Sequence, residues 1–130
     1  MLAVDTNVLV RYLARDDARQ TARAEHLLRR EQILIPKTVL LETEWVLRYS
    51  FGFERRLIDA AIRGVAGLPN IHLEDEAAVA IALDWFAAGM DFADALHLAS
   101  SRAVDGFATF DRKLAAQARK LTDIDVITPG

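Results

Sequence analysis

Hydrophobic residues along this chain fall into two patterns. Short continuous apolar runs alternate with longer stretches in which apolar positions recur three and four residues apart. The first pattern is typical of buried strands and the second of amphipathic helices. The runs predict five strands, at LAV, ILI, residues 71–73, FATF and DVIT. The longer stretches predict seven helices, built around VLVRYLA, DDARQTARAEHLLRREQ, KTVLLETEWVLRYSF, ERRLIDAAIRGVAGLPN, EDEAAVAIALDWFAAG, DFADALHLASSRAV and RKLAAQARKL.

Residues that interrupt regular structure mark the ends of several of these elements. Pro36 closes the second strand, while Gly52 and Gly89 follow the third and fifth helices. The third helix is expected to turn one apolar face inward, made of Val39, Leu40, Val46 and Leu47.

The alternation of strands and helices determines the expected fold class. Short apolar strands separated by helices indicate a parallel sheet covered on both faces. We therefore expect a three-layer α/β/α domain with a short central parallel sheet. With 130 residues the chain is expected to form one domain, residues 1–130, without an internal linker.

Composition and net charge indicate in which cellular compartment and with which partners we expect the protein to function. The chain has no cysteine, which excludes disulfides and thiolate zinc sites and favours a reducing cytoplasm. Neither a basic leader with an apolar core nor an apolar run of about 18 residues is present, so we expect neither export nor a membrane anchor. The net charge of -3 provides no global attraction for nucleic acid, so such a partner would need a local basic patch.

The stretch LAVDTNVLV places a carboxylate, Asp5, within an apolar run, where burial would be costly unless a partner compensated it. Asp5 follows the first predicted strand and Asp111 the fourth, and open α/β sheets bind ligands beyond the carboxyl ends of their strands. If those strands are neighbours, both carboxylates project into one crevice. Glu42 and Asp94 lie near the starts of helices and can reach the same edge. Four such carboxylates would repel one another unless a cation lay between them, and oxygen ligands favour Mg²⁺ or Mn²⁺ over zinc.

Four sequence blocks resemble the PIN-domain ribonucleases, and among them the VapC-type toxins of bacterial toxin-antitoxin pairs. The blocks are VDTNVLV around Asp5, TVLLETEWVL around Glu42, DFADALHLA around Asp94 and ATFDRKL around Asp111. They occur in the family's order and span essentially the whole chain. Each block alone is weak, whereas four in order form a strong signal.

The resemblance implies a PIN fold and metal-dependent hydrolysis of RNA phosphodiesters. Asp5, Glu42, Asp94 and Asp111 match the family's acidic quartet. Thr6, Asn7 and Thr109 match accompanying polar positions. A Mg²⁺ ion at such carboxylates can activate a bound water as the nucleophile, which would leave 5'-phosphate and 3'-hydroxyl ends. The resemblance also implies a homodimer and a small antitoxin whose C-terminal segment covers the cleft, and the stretch from Val39 to Phe53 could form such a surface or be core.

Each acid has a plainer interpretation as well. Asp5 and Asp111 could cap the helices that follow them. Glu42 rather than Glu44 is favoured as the site residue, because Glu44 should face another direction on the helix. Asp91 and Asp94 lie three residues apart at a helix start; Asp94 is favoured for the metal site and Asp91 as the cap, although both could face the cleft.

Histidine, aromatic and basic residues are more ambiguous. His97, one turn beyond Asp94, is expected to be packed or half-buried rather than a ligand or a general base. The following aromatic residues could stack on bases but are more often core or a dimer face: Trp45, Tyr49, Phe51, Trp85 and Phe86. Candidates for phosphate contacts are Arg11, Arg15, Lys37, Arg48, Arg102, Arg112 and Lys113.

Three other functions compete with the nuclease. A non-catalytic PIN-like scaffold that binds RNA or protein would be favoured by loss of an acid, and none is lost. A phosphatase with Asp5 as nucleophile commonly has a second aspartate two residues on, where this chain has Asn7. A phosphoacceptor domain would need a further central strand ending in a target aspartate.

Overall fold

The computed structural model describes residues 1–130 and contains the seven helices and five strands that the sequence predicts. The helices are α1 (Thr6–Ala14), α2 (Ala18–Arg30), α3 (Lys37–Tyr49), α4 (Arg55–Ala66), α5 (Glu76–Ala87), α6 (Phe92–Ser100) and α7 (Arg112–Leu121). The strands are β1 (Leu2–Ala3), β2 (Ile33–Ile35), β3 (Ile71–Leu73), β4 (Phe107–Ala108) and β5 (Val126–Ile127). None of the helices combines the length and apolarity that a membrane crossing requires.

The first of two compact units, Met1–Glu76, is built on a three-stranded parallel sheet. Strand β2 lies in the centre and pairs with β1 on one side and with β3 on the other. Ile33 and Ile35 of β2 are fully buried, as a strand flanked by neighbours requires. Helix α1 packs against α2 and α3. The unit buries Leu9, Leu28, Leu40, Leu47, Ile58 and Ile62.

The second unit, Ala77–Gly130, contains a two-stranded parallel sheet formed by β4 and β5. Its core includes Phe86 of α5 and Phe92 of α6, whose ring centroids lie 5.5 Å apart in an edge-on arrangement. Such aromatic pairs contribute about 0.5–1.5 kcal/mol beyond the area they bury. All three strand pairs of the chain are parallel, as the alternating pattern predicts.

Two glycines with positive φ terminate helices as the sequence predicts. Gly52, at φ 67°, follows the end of α3, and the Phe53 amide then donates back to the Leu47 carbonyl. Gly89, at φ 113°, follows α5, and the Met90 amide donates back to Trp85. A residue with a Cβ atom is strained at such dihedral angles, which explains glycine at both turns.

Three local expectations are wrong. The predicted first strand, LAV, is not buried throughout, since Leu2 is 45% exposed and Ala3 is also exposed, and only Val4 is buried; β1 has only one neighbour in its sheet. Val46 is half-buried instead of facing fully inward. The sixth helix ends at Ser100 and does not extend to residue 104, because the Ser101 hydroxyl and the Arg102 guanidinium bond to carbonyls of its last turn.

Candidate active site

Asp5 lies between β1 and α1 and is the N-cap residue of α1. Its Oδ1 accepts a hydrogen bond from the Thr6 amide at 2.7 Å. An aspartate at this position satisfies one of the helix's unpaired amides and opposes the positive end of the helix dipole. The side chain is exposed, so the expected burial cost is absent and water compensates the charge. Oδ2 makes no hydrogen bond within the protein, which leaves it open to a ligand.

Thr6 connects this cap to Glu42 of α3. The buried Thr6 hydroxyl donates a 2.9 Å hydrogen bond to Oε1 of Glu42, which is 36 residues away along the chain. The packing of α1 on α3 brings the two residues together. Glu42 is exposed, yet this bond restricts its carboxylate, and its Oε2 stays open. Thr6 is therefore a positioning residue for Glu42.

Glu44 has a different environment, as the helical geometry predicts. It is 1% exposed and forms an ion pair with Arg48 one turn along α3, at 2.7 Å from Nε to Oε2. Arg48 Nη2 also donates to Glu44 Oε1 at 3.1 Å. A buried carboxylate with its own cation partner is a poor candidate for a metal ligand.

In the second unit, Asp91 is the N-cap of α6. Its Oδ1 accepts a hydrogen bond from the Asp94 amide at 3.1 Å, so the capping interpretation of Asp91 agrees with the geometry. Asp94 lies in the first turn of the same helix and is half-buried. Its carboxylate forms no ion pair or hydrogen bond within the protein.

The electrostatic environment of Asp94 opposes its ionisation. Burial raises the pKa of the Asp94 carboxyl, and the nearby carboxylates of Asp91 and Asp111 raise it further. The charges of His97 and Lys113 act in the opposite direction but do not cancel the increase. Like charges near a partly desolvated carboxyl favour its protonated form, and a bound cation would reverse that preference.

Asp111 ends the segment that follows β4 and caps α7. Its Oδ1 accepts from the Leu114 amide at 3.0 Å, and the Asp111 amide donates to the Thr109 hydroxyl at 3.0 Å. Thr109 thus fixes the backbone that presents Asp111. The carboxylate is exposed, and Oδ2 has no hydrogen bond.

The remaining sequence candidates have mixed outcomes. His97 is exposed, so the expectation of a packed or half-buried ring is wrong, although its neighbours Leu96 and Leu98 on α6 are buried. Asn7 is exposed and lines a groove of about 920 Å³ along α1 and α2. Among the aromatic residues Phe86 is core, Phe51 and Trp85 are half-buried, and Trp45 and Tyr49 are exposed.

Several of the candidate phosphate contacts have partners. Arg11, Arg15, Lys37 and Arg48 form ion pairs with Asp16, Glu25, Asp75 and Glu44, and Arg102 bonds to a helix carbonyl. Arg112 and Lys113 are exposed and form no ion pair. Both lie in the first turn of α7, immediately after Asp111.

The donor chemistry of these acids suits a hard divalent cation. Asp5, Glu42 and Asp111 each use one carboxylate oxygen in a hydrogen bond and keep the other open, and Asp94 is in need of a counter-charge. Oxygen donors of this kind match Mg²⁺ and Mn²⁺. The chain contains no group of three or more His, Cys, Asp or Glu side chains that could hold a metal ion, so the predicted acidic quartet does not form a ready-made metal site. Asp5 and Glu42 belong to the first unit, and Asp94 and Asp111 to the second.

Comparison with known proteins defines the class. The PIN domain family model matches residues 2–120, and the chain therefore belongs to the PIN domain family. The predicted family and α/β fold class are confirmed. Among solved structures the chain is similar to VapC20 of Mycobacterium tuberculosis, described as a sarcin-ricin loop cleaving toxin, with 22% identity, coverage of 89% of this chain and 94% of that chain, and a TM-score of 0.45. No curated protein sequence matches the chain significantly.

Sequence reasoning missed two features of this region. The Thr6 to Glu42 hydrogen bond joins residues 36 positions apart, so no local pattern reveals it. The Glu44 to Arg48 ion pair has the i, i+4 spacing that predicts a helical salt bridge, and this signal could have identified it.

Proposed function

We propose that this PIN-domain protein is a divalent-metal-dependent endoribonuclease and the toxin of a type II toxin-antitoxin pair. The single observation that carries the proposal is the environment of the half-buried Asp94, a carboxylate with no ion pair or hydrogen bond, whose pKa is raised by burial and by the charges of Asp91 and Asp111. Carboxyl groups whose pKa is perturbed by burial and neighbouring charges are typical of functional sites. Membership of the PIN family supports the same conclusion.

Asp5 and Glu42 in the first unit, and Asp94 and Asp111 in the second, are the residues that would hold Mg²⁺, with Mn²⁺ as a substitute. The bound metal would supply Lewis-acid chemistry, which lowers the pKa of a water ligand and offsets charge on the phosphodiester. The Thr6 hydroxyl orients Glu42, and the Thr109 hydroxyl holds the backbone that presents Asp111. These hydrogen bonds reduce the freedom of the carboxylates before any ligand arrives.

Substrate phosphates would be bound by the two unpaired cations after Asp111. Lys113 lies close enough to Asp94 to lower the pKa of that carboxyl, so its ammonium group is near the acids. Arg112 is its exposed neighbour. Together they would provide the local positive charge that a protein with a net charge of -3 needs in order to bind RNA.

The proposed partners are an RNA substrate, a cognate antitoxin and a second copy of the chain. The groove along α1 and α2 supports a peptide partner, because its lining combines basic with apolar side chains and includes Asn7, two residues after the Asp5 cap. Its lining includes Arg11, Arg23, His26, Val8 and Leu27. The groove volume of about 920 Å³ is within the range of roughly 300–1,000 Å³ that is typical of ligand-binding pockets.

The proposal is tested by mapping RNA ends after incubation with the purified protein. Total RNA should show discrete new 5'-phosphate ends in Mg²⁺ and none in EDTA, and added Mn²⁺ should restore cleavage. Asp94→Asn should abolish the new ends, whereas Asp105→Asn, at an exposed position outside the proposed site, should not. Undiminished cleavage in EDTA would reject the metal-dependent mechanism. If neither metal produces new ends, the chain would instead be a PIN-like scaffold that binds RNA or protein without cleaving it.

A further inference from the structure

Two aromatic side chains on α3 are unusually exposed. Trp45 is 54% and Tyr49 63% exposed, and their ring centroids lie 5.1 Å apart with the planes inclined at 46°. The two residues are one turn apart on the helix, so their rings form one continuous surface. Large aromatic groups left in water are costly, and a patch of this kind marks a binding surface.

This aromatic pair is held in place by charged neighbours. The Arg48 guanidinium carbon lies 4.6 Å from the centroid of the Tyr49 ring, within the range of a cation-π interaction. The buried Glu44 carboxylate binds the same guanidinium at 2.7 Å and fixes its position. A buried ion pair such as that of Glu44 with Arg48 contributes little to the free energy of unfolding. The result is an exposed aromatic pair whose Tyr49 ring contacts the Arg48 guanidinium, which is itself paired with Glu44.

The aromatic pair lies in line with a proposed metal-binding acid. Glu42, Trp45 and Tyr49 occupy positions i, i+3 and i+7 of α3, which share one helix face. All three are exposed. With a rise of about 1.5 Å per residue, Trp45 lies about one turn and Tyr49 about two turns beyond Glu42 along the helix axis. A ligand that reaches Glu42 can therefore continue along the same face onto both rings.

We propose that Trp45 and Tyr49 form a base-stacking surface for unpaired nucleotides of a single-stranded RNA next to the proposed cleavage site. The inference rests on the proposed function and adds the class of substrate. Nucleobases stack on tryptophan and tyrosine rings. Both rings are exposed and lie one turn apart on α3.

A second copy of the chain is a poorer occupant of this face. Two aromatic side chains bury about 500 Å² at most, whereas a standard protein interface buries about 800 Å² per partner. The exposed face of α3 continues into polar residues on both sides, Glu42 and Ser50. An apolar protein interface would leave these two polar groups poorly solvated.

Fluorescence of Trp45 tests the proposal without relying on cleavage. In a Trp85→Phe background Trp45 is the only tryptophan. Titration with a single-stranded dodecamer of uridylate in EDTA should quench its emission, because the base stacks on the indole ring. A pre-annealed RNA duplex of equal length should produce much less quenching, since its bases are already stacked.

Binding constants of matched variants provide the second measurement. Trp45→Ala should weaken binding of the single-stranded dodecamer about 5- to 100-fold, the range expected for loss of one stacked base. Trp45→Phe should recover most of the loss, which distinguishes stacking from misfolding. Leu57→Ala, a truncation of an exposed apolar residue on α4, should leave the affinity unchanged.

The results of these experiments distinguish failure of the stacking surface from failure of the proposed nuclease function. RNA cleavage with no quenching of Trp45, or equal affinity of the Trp45→Ala protein, would overturn the stacking surface and leave the nuclease intact. A change of oligomeric state in Trp45→Ala at unchanged RNA affinity would identify the patch as a protein interface and also overturn the proposal. Absence of RNA binding by the parent would overturn the stacking surface, whereas absence of cleavage in Mg²⁺ and in Mn²⁺ would overturn the proposed function.

Discussion

The Thr6 hydroxyl donates a 2.9 Å hydrogen bond to the carboxylate of Glu42, although the two residues lie on different helices. Thr6 is buried directly behind the Asp5 cap, and its own amide is the donor to Asp5. One residue thus contacts both proposed metal-binding acids of the first unit. The hydrogen bond between Thr6 and Glu42 can be tested by removing the Thr6 hydroxyl without changing the shape of the side chain.

Thr6→Val should reduce RNA cleavage by about 10- to 100-fold, as loss of a residue that orients a metal ligand commonly does. The free energy of unfolding should fall by only about 0.5–1.5 kcal/mol, the usual contribution of one hydrogen bond. Thr21→Val is the matched control, because the buried Thr21 hydroxyl donates a 3.0 Å bond to the Arg11 carbonyl and contacts no acid. It should show a similar loss of stability with cleavage retained. Equal cleavage by both variants would contradict the positioning role of Thr6.

Asp5→Asn separates charge from capping. Asparagine caps helices about as well as aspartate, so the unfolding free energy should change little. Cleavage should fall by at least ~100-fold, because metal binding contributes several kcal/mol to the transition state and each 1.36 kcal/mol is a factor of ten. Asp17→Asn makes the same change at the cap of α2, where Oδ1 accepts from the Gln20 amide at 3.0 Å. A comparable loss of activity in Asp17→Asn would contradict a specific role for the Asp5 charge.

Asp94→Asn should stabilise the protein in metal-free buffer at neutral pH. The folded-state pKa of Asp94 is raised above its ordinary value of 3.8, so the folded protein holds that proton more tightly than the unfolded chain does. The unfolding free energy therefore falls as the pH rises from 3.8 through the raised pKa, and the penalty persists above it. Asparagine carries no charge and avoids the penalty.

Thermal unfolding across pH checks this prediction. The melting temperature of Asp94→Asn should exceed that of the parent at pH 7 in EDTA, and the difference should disappear below the ordinary pKa of an aspartate. Added Mg²⁺ should raise the melting temperature of the parent and not that of the variant, since only the parent retains the ligand. A variant less stable than the parent at every pH would refute the electrostatic description of Asp94.

Much of the fold could be predicted, because short stretches of sequence determine most of its helices and strands. The apolar periodicity defines every helix and strand, and Gly52 and Gly89 end α3 and α5 at the positive φ angles that only glycine adopts easily. The exposure of β1 was not predictable. An apolar run of three residues signals a strand, but its burial depends on how many neighbours pack against it, and β1 has one in its sheet.

The candidate site was predictable in part. The spacing at the start of α6 identified Asp91 as the cap, and the helix geometry distinguished Glu42 from Glu44. The Thr6 to Glu42 contact depends on how α1 packs against α3, which no short sequence window records. The exposure of His97 also depends on tertiary packing, because a nine-residue helix with several apolar positions leaves its outer face open.

The central claim is that acids of this chain bind a divalent cation, and direct Mn²⁺ binding tests it most simply. Titration followed by electron paramagnetic resonance should show saturable binding of Mn²⁺ by the parent and competition by Mg²⁺. Asp94→Asn and Asp5→Asn should each weaken binding about tenfold or more, a loss of about 1.4 kcal/mol, whereas Asp17→Asn should bind as the parent does. Equal Mn²⁺ affinity in the parent, Asp94→Asn and Asp5→Asn would contradict the account.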